Sequence, residues 1–272
     1  MGHGWLPGSV TVFTKPWPQL TLGELADHVR TLGFDGVELP VRPGFQVSLD
    51  DVSRQLPEAA KAFAGEGLRI SSVAAEPTPA LIAACGQTGV PIIRICVDIP
   101  KGEDYLETES AVRRRFDEIV SKLVEYGVRV GVQNHYGGYV ANAMGIRHMI
   151  EDYDPAVIGA VWDGAHCALD GELPRLAVAI LWSHLCLVNL KNARWRPERA
   201  KTGQGTARFE AEFVRGPDGL CPWEDVLGEL RGRGYSGDLC MTAEYTDHVR
   251  TDDYLKSDRS FLADLLQEKP PR

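Results

Sequence analysis

The sequence predicts a (β/α)8 barrel, a single domain over residues 1–272 in which eight parallel strands alternate with eight helices. Eight short apolar, β-rich runs are each followed by an amphipathic helical pattern. Spread over 272 residues, the eight units average about 34 each, enough for a strand, a helix and two connections. Several runs are almost unbroken apolar stretches, as in parallel strands buried on both faces. A doubly wound open sheet is the competing arrangement for the same alternation.

The strand runs are Ser9–Thr14, Gly36–Leu39, Arg69–Ala74, Ile92–Val97, Arg129–Asn134, Ile158–Trp162, Leu185–Leu190 and Asp238–Ala243. Between them, Thr21-Leu22-Gly23-Glu24 has the spacing of a capping box and opens a helix to Leu32, which Gly33 closes. Further helical patterns cover Pro57–Ala64, Pro79–Cys85, Ser110–Tyr126, Met144–Tyr153, Leu173–Leu181, Trp223–Arg231 and Leu255–Leu266. One connection is unusually long, Ala193–Pro222 between the seventh strand and its helix. It carries Arg194, Arg196, Arg199, Lys201 and Arg208 among several glycines. A loop of this length is either functional or a solvated insertion. On a barrel it would hang over the catalytic face as a lid or an oligomer contact, its arginines binding phosphate or facing water.

Acidic residues outnumber basic ones by 38 to 29, for a net charge of −9. That balance argues against a nucleic-acid backbone as the main ligand, which calls for a basic stripe. Cysteines 85, 96, 167, 186, 221 and 240 include no C-x-x-C pair and mostly sit in apolar runs. They read as buried free thiols in a reducing compartment, hence a cytoplasmic protein. No segment has the length and apolarity of a membrane span, and no signal peptide is apparent at Met1.

In a barrel, chemistry gathers where strands end. The polar residues there are Glu38, Glu76, Arg94, Gln133, His135, Asp163, His166, Asn189, Lys191, Glu244 and His248. Alternation along a strand puts Gln133 and His135 on one face, and likewise Asn189 and Lys191. Glu38 reads as an ion-paired carboxylate or a substrate contact, and Arg94 as the partner of Glu38 or Glu76 or as a substrate ligand. Glu76 reads as a helix cap across Pro77. His135 and His248 are either functional or ordinary loop histidines. Asp163 and Glu244 each follow an apolar run, where an unpaired carboxylate is costly.

Phe34-Asp35-Gly36-Val37-Glu38-Leu39 resembles the opening motif of xylose isomerase-like barrels, the sugar phosphate isomerase/epimerase superfamily. The resemblance continues in order through Val130–His135, Val161–His166, Leu187–Asn192 and Ala243-Glu244-Tyr245. It implies a divalent metal (Mn, Mg or Zn) held by Glu, Asp, His and Glu on strands five to eight. In this chain those positions are Gln133, Asp163, Asn189 and Glu244, so one carboxylate and one imidazole are replaced by amides. Carbonyl oxygen is acceptable to hard ions, but the ligand charge falls and affinity with it; His135 or His166 could supply the missing imidazole.

The same replacement removes one of two proton-transfer glutamates. Two-base epimerisation is then disfavoured unless His135 substitutes. A one-base scheme has Glu244 abstract a proton next to a carbonyl while Lys191, His166 or a metal stabilises the enediolate. Lys191 has a second reading, as a counter-ion to Asp163 or Glu244. The scheme describes a sugar or polyol isomerase or epimerase, with Glu244, His135, Lys191 and His166 catalytic and Glu38, Arg94, His166 and Lys191 binding substrate. It suits equally a metal-assisted lyase or dehydratase acting on a keto-sugar, cyclitol or glycoside. A non-catalytic barrel that binds a sugar-like ligand is the alternative of another class. The expected partner is a small carbohydrate-like substrate, with neither nucleic acid nor membrane; the oligomeric state is open, dimers and tetramers being common among relatives.

Overall fold

The computed structural model describes residues 5, 7–198 and 208–267. Eight parallel strands close into a barrel: β1 (Val10–Phe13), β2 (Gly36–Pro40), β3 (Arg69–Ala74), β4 (Ile92–Cys96), β5 (Arg129–Gln133), β6 (Ile158–Asp163), β7 (Leu185–Leu190) and, after an inserted hairpin, β10 (Asp238–Met241). Each pairs with the next in sequence. β10 pairs with both β7 and β1, so the sheet has no free edge. The open-sheet alternative is thereby excluded.

The helices are α1 (Leu22–Thr31), α2 (Val52–Gly65), α3 (Pro79–Thr88), α4 (Tyr105–Tyr126), α5 (Ala143–Ile150), α6 (Gly164–Leu169), α7 (Pro174–Leu181), α8 (Trp223–Arg233) and α9 (Thr251–Gln267). The capping box at Thr21 and Glu24 forms as its spacing requires. Gly33 follows at φ +81°, a conformation nearly reserved for glycine. Their apolar faces pack on the outside of the strands, Leu25, Leu56, Phe63, Leu81, Phe116 and Leu123 being fully or almost fully buried. Phe13, Ala74, Ile92, Val161, Leu187, Cys186 and Cys240, from six strands, form a separate plug within the barrel. Gly131 faces this plug, because a Cβ there would lie 2.6 Å from Val161.

Several boundaries differ from the sequence reading, and three are instructive. α2 starts at Val52, with Pro57 inside the helix rather than opening it. β10 ends at Met241, because Ala243 turns into the left-handed region at φ +53°. The third difference is the Ala193–Pro222 connection, which contains an antiparallel hairpin of β8 (Asn192–Pro197) and β9 (Phe209–Val214). Arg194 and Arg196 pair across it with Glu212 and Glu210, so neither is an unengaged phosphate ligand. Arg199 and Lys201 lie outside the described residues.

Candidate functional site

A cavity of about 420 Å³ opens at the C-terminal ends of the strands. Among its lining residues are Lys15, Arg94, Gln133, His135, Asp163, His166, Asn189 and Glu244. A larger hollow, about 810 Å³, lies on the outer wall among α6, α7 and α8 and includes none of these strand-end residues.

Strand register explains the convergence. Gln133, Asp163 and Asn189 each sit at or near the last position of adjacent strands, with Asp163 opposite Asn189. Their side chains form a directed chain: Asn189 Nδ2 donates to Gln133 Oε1 at 3.0 Å, and Gln133 Nε2 faces Asp163 Oδ2 at 3.4 Å. The carboxylate sets that direction, since it only accepts and must be met by the amide N–H. Asp163 also caps α6 by accepting from the His166 N–H at 3.1 Å. Asn134 brackets its backbone with two hydrogen bonds. Burial raises the Asp163 carboxyl to about 6, although Lys191 and the His166 N–H pull it down.

Glu244 is held differently. Ala243, whose left-handed conformation costs an alanine about 1 kcal/mol, precedes it. Its two oxygens are taken by Lys191, at 2.8 Å, and Lys15. Burial pushes this carboxyl up, but the two ammonium groups outweigh that and hold it far below the usual carboxylate range. Lys191 is 7% exposed and its ammonium lies 4.0 Å from the Phe213 ring centroid, a cation–π contact under the hairpin. It is absent from the cavity lining, whereas Lys15 is in it with 46% of its side chain exposed.

His135 Nδ1 lies 3.0 Å from the Tyr136 carbonyl. A carbonyl only accepts, so Nδ1 carries the proton and Nε2 is the basic nitrogen. Burial lowers the His135 pKa, favouring the neutral ring. The ring packs 3.9 Å from His166 and 4.3 Å from Tyr139, centroid to centroid. Burial, Lys191 and His135 together keep His166 neutral as well. His166, Asn189 and Thr242 line the cavity, and their Nδ1, Oδ1 and Oγ1 atoms are buried without a hydrogen-bond partner. Buried polar atoms of this kind call for a hydrogen-bonding partner such as water.

Glu38 is wholly buried beneath the cavity and grips Arg94 at two points, 2.8 and 2.9 Å, while accepting from Ser72 at 3.0 Å. It therefore supports Arg94, which reaches the cavity, and does not line it. Glu76 lines the rim, mostly exposed, and pairs with Arg115 at 3.7 Å; Thr78 caps the following helix in its place. His248 is exposed and outside the lining. Lys15, Tyr139 and Thr242 were not singled out from the sequence. Lys15 was within reach of the same rule, since it directly follows the first apolar run.

The donor set does not fit a divalent ion. Gln133 spends its oxygen on Asn189, and both Glu244 oxygens hold ammonium groups. A divalent ion about 4 Å from an ammonium would be repelled by roughly 8 kcal/mol at an effective dielectric constant of about 20. No group of three or more His, Cys, Asp or Glu side chains among the described residues is arranged to hold a metal.

A family model described as xylose isomerase-like TIM barrel matches residues 26–265. Among solved structures, a D-psicose 3-epimerase from Clostridium cellulolyticum H10 has 14% identity and a TM-score of 0.72, covering 96% of this chain and 100% of its own. A probable 3-DHS dehydratase from Bacillus anthracis has 13% identity and a TM-score of 0.70, covering 93% and 98%. A xylose isomerase-like barrel from Mycobacterium smegmatis in complex with magnesium has 15% identity and a TM-score of 0.71, covering 96% of each chain. None of the curated proteins matches the sequence.

Proposed function

This chain belongs to the xylose isomerase-like TIM barrel family, and from that premise we propose that it is an enzyme moving a proton at the carbon beside a carbonyl in a small carbohydrate or polyol. The observation that carries this reading is His135, a neutral imidazole with Nδ1 tied to a backbone carbonyl, in a cavity lined by the polar side chains of Lys15, Arg94, Tyr139, His166 and Thr242. Those side chains suit substrate hydroxyls; the imidazole suits proton transfer.

His135 Nε2 takes the proton from carbon. The C–H electron pair becomes a carbon–carbon double bond, and the carbonyl π pair moves to oxygen. Lys15 stabilises that oxygen; the neighbouring hydroxyl then passes its proton to this oxyanion and becomes the new carbonyl, while the double-bond pair takes the imidazolium's proton at the former carbonyl carbon, giving an isomerase. Glu244, with both oxygens engaged and its proton affinity depressed, is a poor base. In this reading it orients the two lysines, and Lys191 neutralises it from beneath. Arg94 and His166 bind substrate.

The test is uptake of solvent deuterium into a panel of keto-sugars. His135→Asn should cut exchange by about 10²–10⁴. Equal exchange in His135→Asn and wild type would remove the assignment. Absence of exchange from every sugar would favour a ligand-binding barrel. Release of water or an aglycone would redirect the same proton abstraction to a lyase or dehydratase.

A further inference from the structure

At the four positions where relatives of this fold are expected to hold a metal, the chain places its own hydrogen bonds and cations. Three positive groups, Lys15, Arg94 and Lys191, meet three carboxylates, Glu38, Asp163 and Glu244, through direct pairing at Glu38 and Glu244. The fully ionised cluster thus sums to zero, leaving no excess negative charge to attract a divalent cation. The Asn189–Gln133–Asp163 chain also points an N–H, not an oxygen, at the carboxylate. Turning Gln133 to offer its oxygen there would break the 3.0 Å bond from Asn189 and set two acceptors against each other.

We propose that this barrel mouth works without a divalent ion, and that Lys15, steadied on Glu244, supplies the positive charge that an oxyanion of the ligand meets. The role rests on the proton-transfer reading above. Lys15 alone of the two lysines can do this directly, because it lines the cavity and is half exposed while Lys191 lies under Phe213. One of its three N–H groups is committed to Glu244, which leaves donors for a ligand. The ligand class is an oxyanion such as a carboxylate or an enediolate, which an ammonium meets by charge and hydrogen bonding.

The experiment uses two probes on the full-length protein after chelator treatment. Mn²⁺ is titrated in and followed by the electron paramagnetic resonance signal of the free ion. Oxalate, a planar dianion resembling an enediolate, is added in excess EDTA and followed by its effect on melting temperature. Wild type should take up no stoichiometric Mn²⁺ and should be stabilised by oxalate. Lys15→Met should keep its own cooperative melting transition and lose the oxalate shift, and Lys15→Arg should recover it.

Stoichiometric Mn²⁺ uptake by wild type, an oxalate shift that appears only with Mn²⁺, or an oxalate shift that survives Lys15→Met would each overturn the inference. Replacing Gln133 by Glu and Asn189 by His tests the donor set itself. Strong Mn²⁺ binding should appear only when Lys15→Met and Lys191→Met are added to that pair; binding with both lysines retained also overturns it. All these readouts are of binding, so they decide the metal question even if no keto-sugar exchanges deuterium.

Discussion

Glu244→Gln separates two roles for one carboxylate. As the catalytic base it would give a folded, stable, inactive protein. As the counter-ion of Lys15 and Lys191 it should chiefly cost stability. Lys191, 7% exposed, loses a 2.8 Å partner and keeps only the Phe213 ring face and more distant charges. Removing one member of a buried pair costs about 3–5 kcal/mol. The cation–π contact is present in both proteins and cancels from the difference, so a loss of about 3–5 kcal/mol is expected. Lys15 adds little, because it is half exposed and water replaces its partner. Urea denaturation of wild type, Glu244→Gln, Lys191→Met and the double variant gives the coupling directly. Lys191→Met should restore much of what Glu244→Gln removes, since the stranded charge is gone. Stability within about 1 kcal/mol of wild type in Glu244→Gln, together with a hundredfold or greater loss of deuterium exchange, would refute the counter-ion role and return Glu244 to the position of base.

The pair beneath the cavity should behave alike: Arg94→Met strands the wholly buried Glu38 and should cost about 3–5 kcal/mol, while adding Glu38→Gln should recover part of it in the same denaturation assay. Burial raises Asp258 to about 6 against hydrogen bonds from Gly216 N–H and Tyr245 hydroxyl that lower it. The folded state thus binds the extra proton between the unfolded and folded pKa values, and stability should fall by up to about 3 kcal/mol as pH rises through about 4 to 6. Asp163, raised to about 6 as well, adds its own share of slope in this window, so Asp258→Asn should remove only the Asp258 part, and an unchanged slope would show that Asp258 contributes none. Gly219→Ala should destabilise by about 2 kcal/mol or more, because its Cβ would stand 2.1 Å from Asn192 Oδ1, an atom that accepts from Ala193 and Cys221 N–H; a melting temperature equal to wild type would count against the tight hairpin base.

The barrel was legible because its strands are continuous apolar runs at even intervals, and the residues ending them converge by geometry once the sheet closes. Gln133, His135, Asp163, Asn189 and Glu244 share one cavity for that reason. Exposure within the site was not legible. Lys191 follows Asn189 by two positions, as His135 follows Gln133, yet Phe213 covers it. That ring comes from a hairpin whose strands read as a loop, since Arg194, Arg196, Glu210 and Glu212 lack the apolar signature of a buried strand. Glu38 looked available to substrate because sequence shows a carboxylate at a strand end but not the Arg94 fork that encloses it.

The closed sheet also fixes when this site comes into being. Lys15 follows the first strand and Glu244 the last, 229 residues apart, and they meet only because β1 and β10 lie side by side. During synthesis, a nascent chain that has yet to make its final strand has most of the barrel's residues but cannot form this ion pair. Its β1 and β7 edges lack their β10 partner, open to pairing with other chains. Sealing the sheet therefore completes the charge arrangement and removes the aggregation hazard in one event. In a refolding experiment, helical signal should return before oxalate binding, which should appear with the slow, non-local closure of the ring.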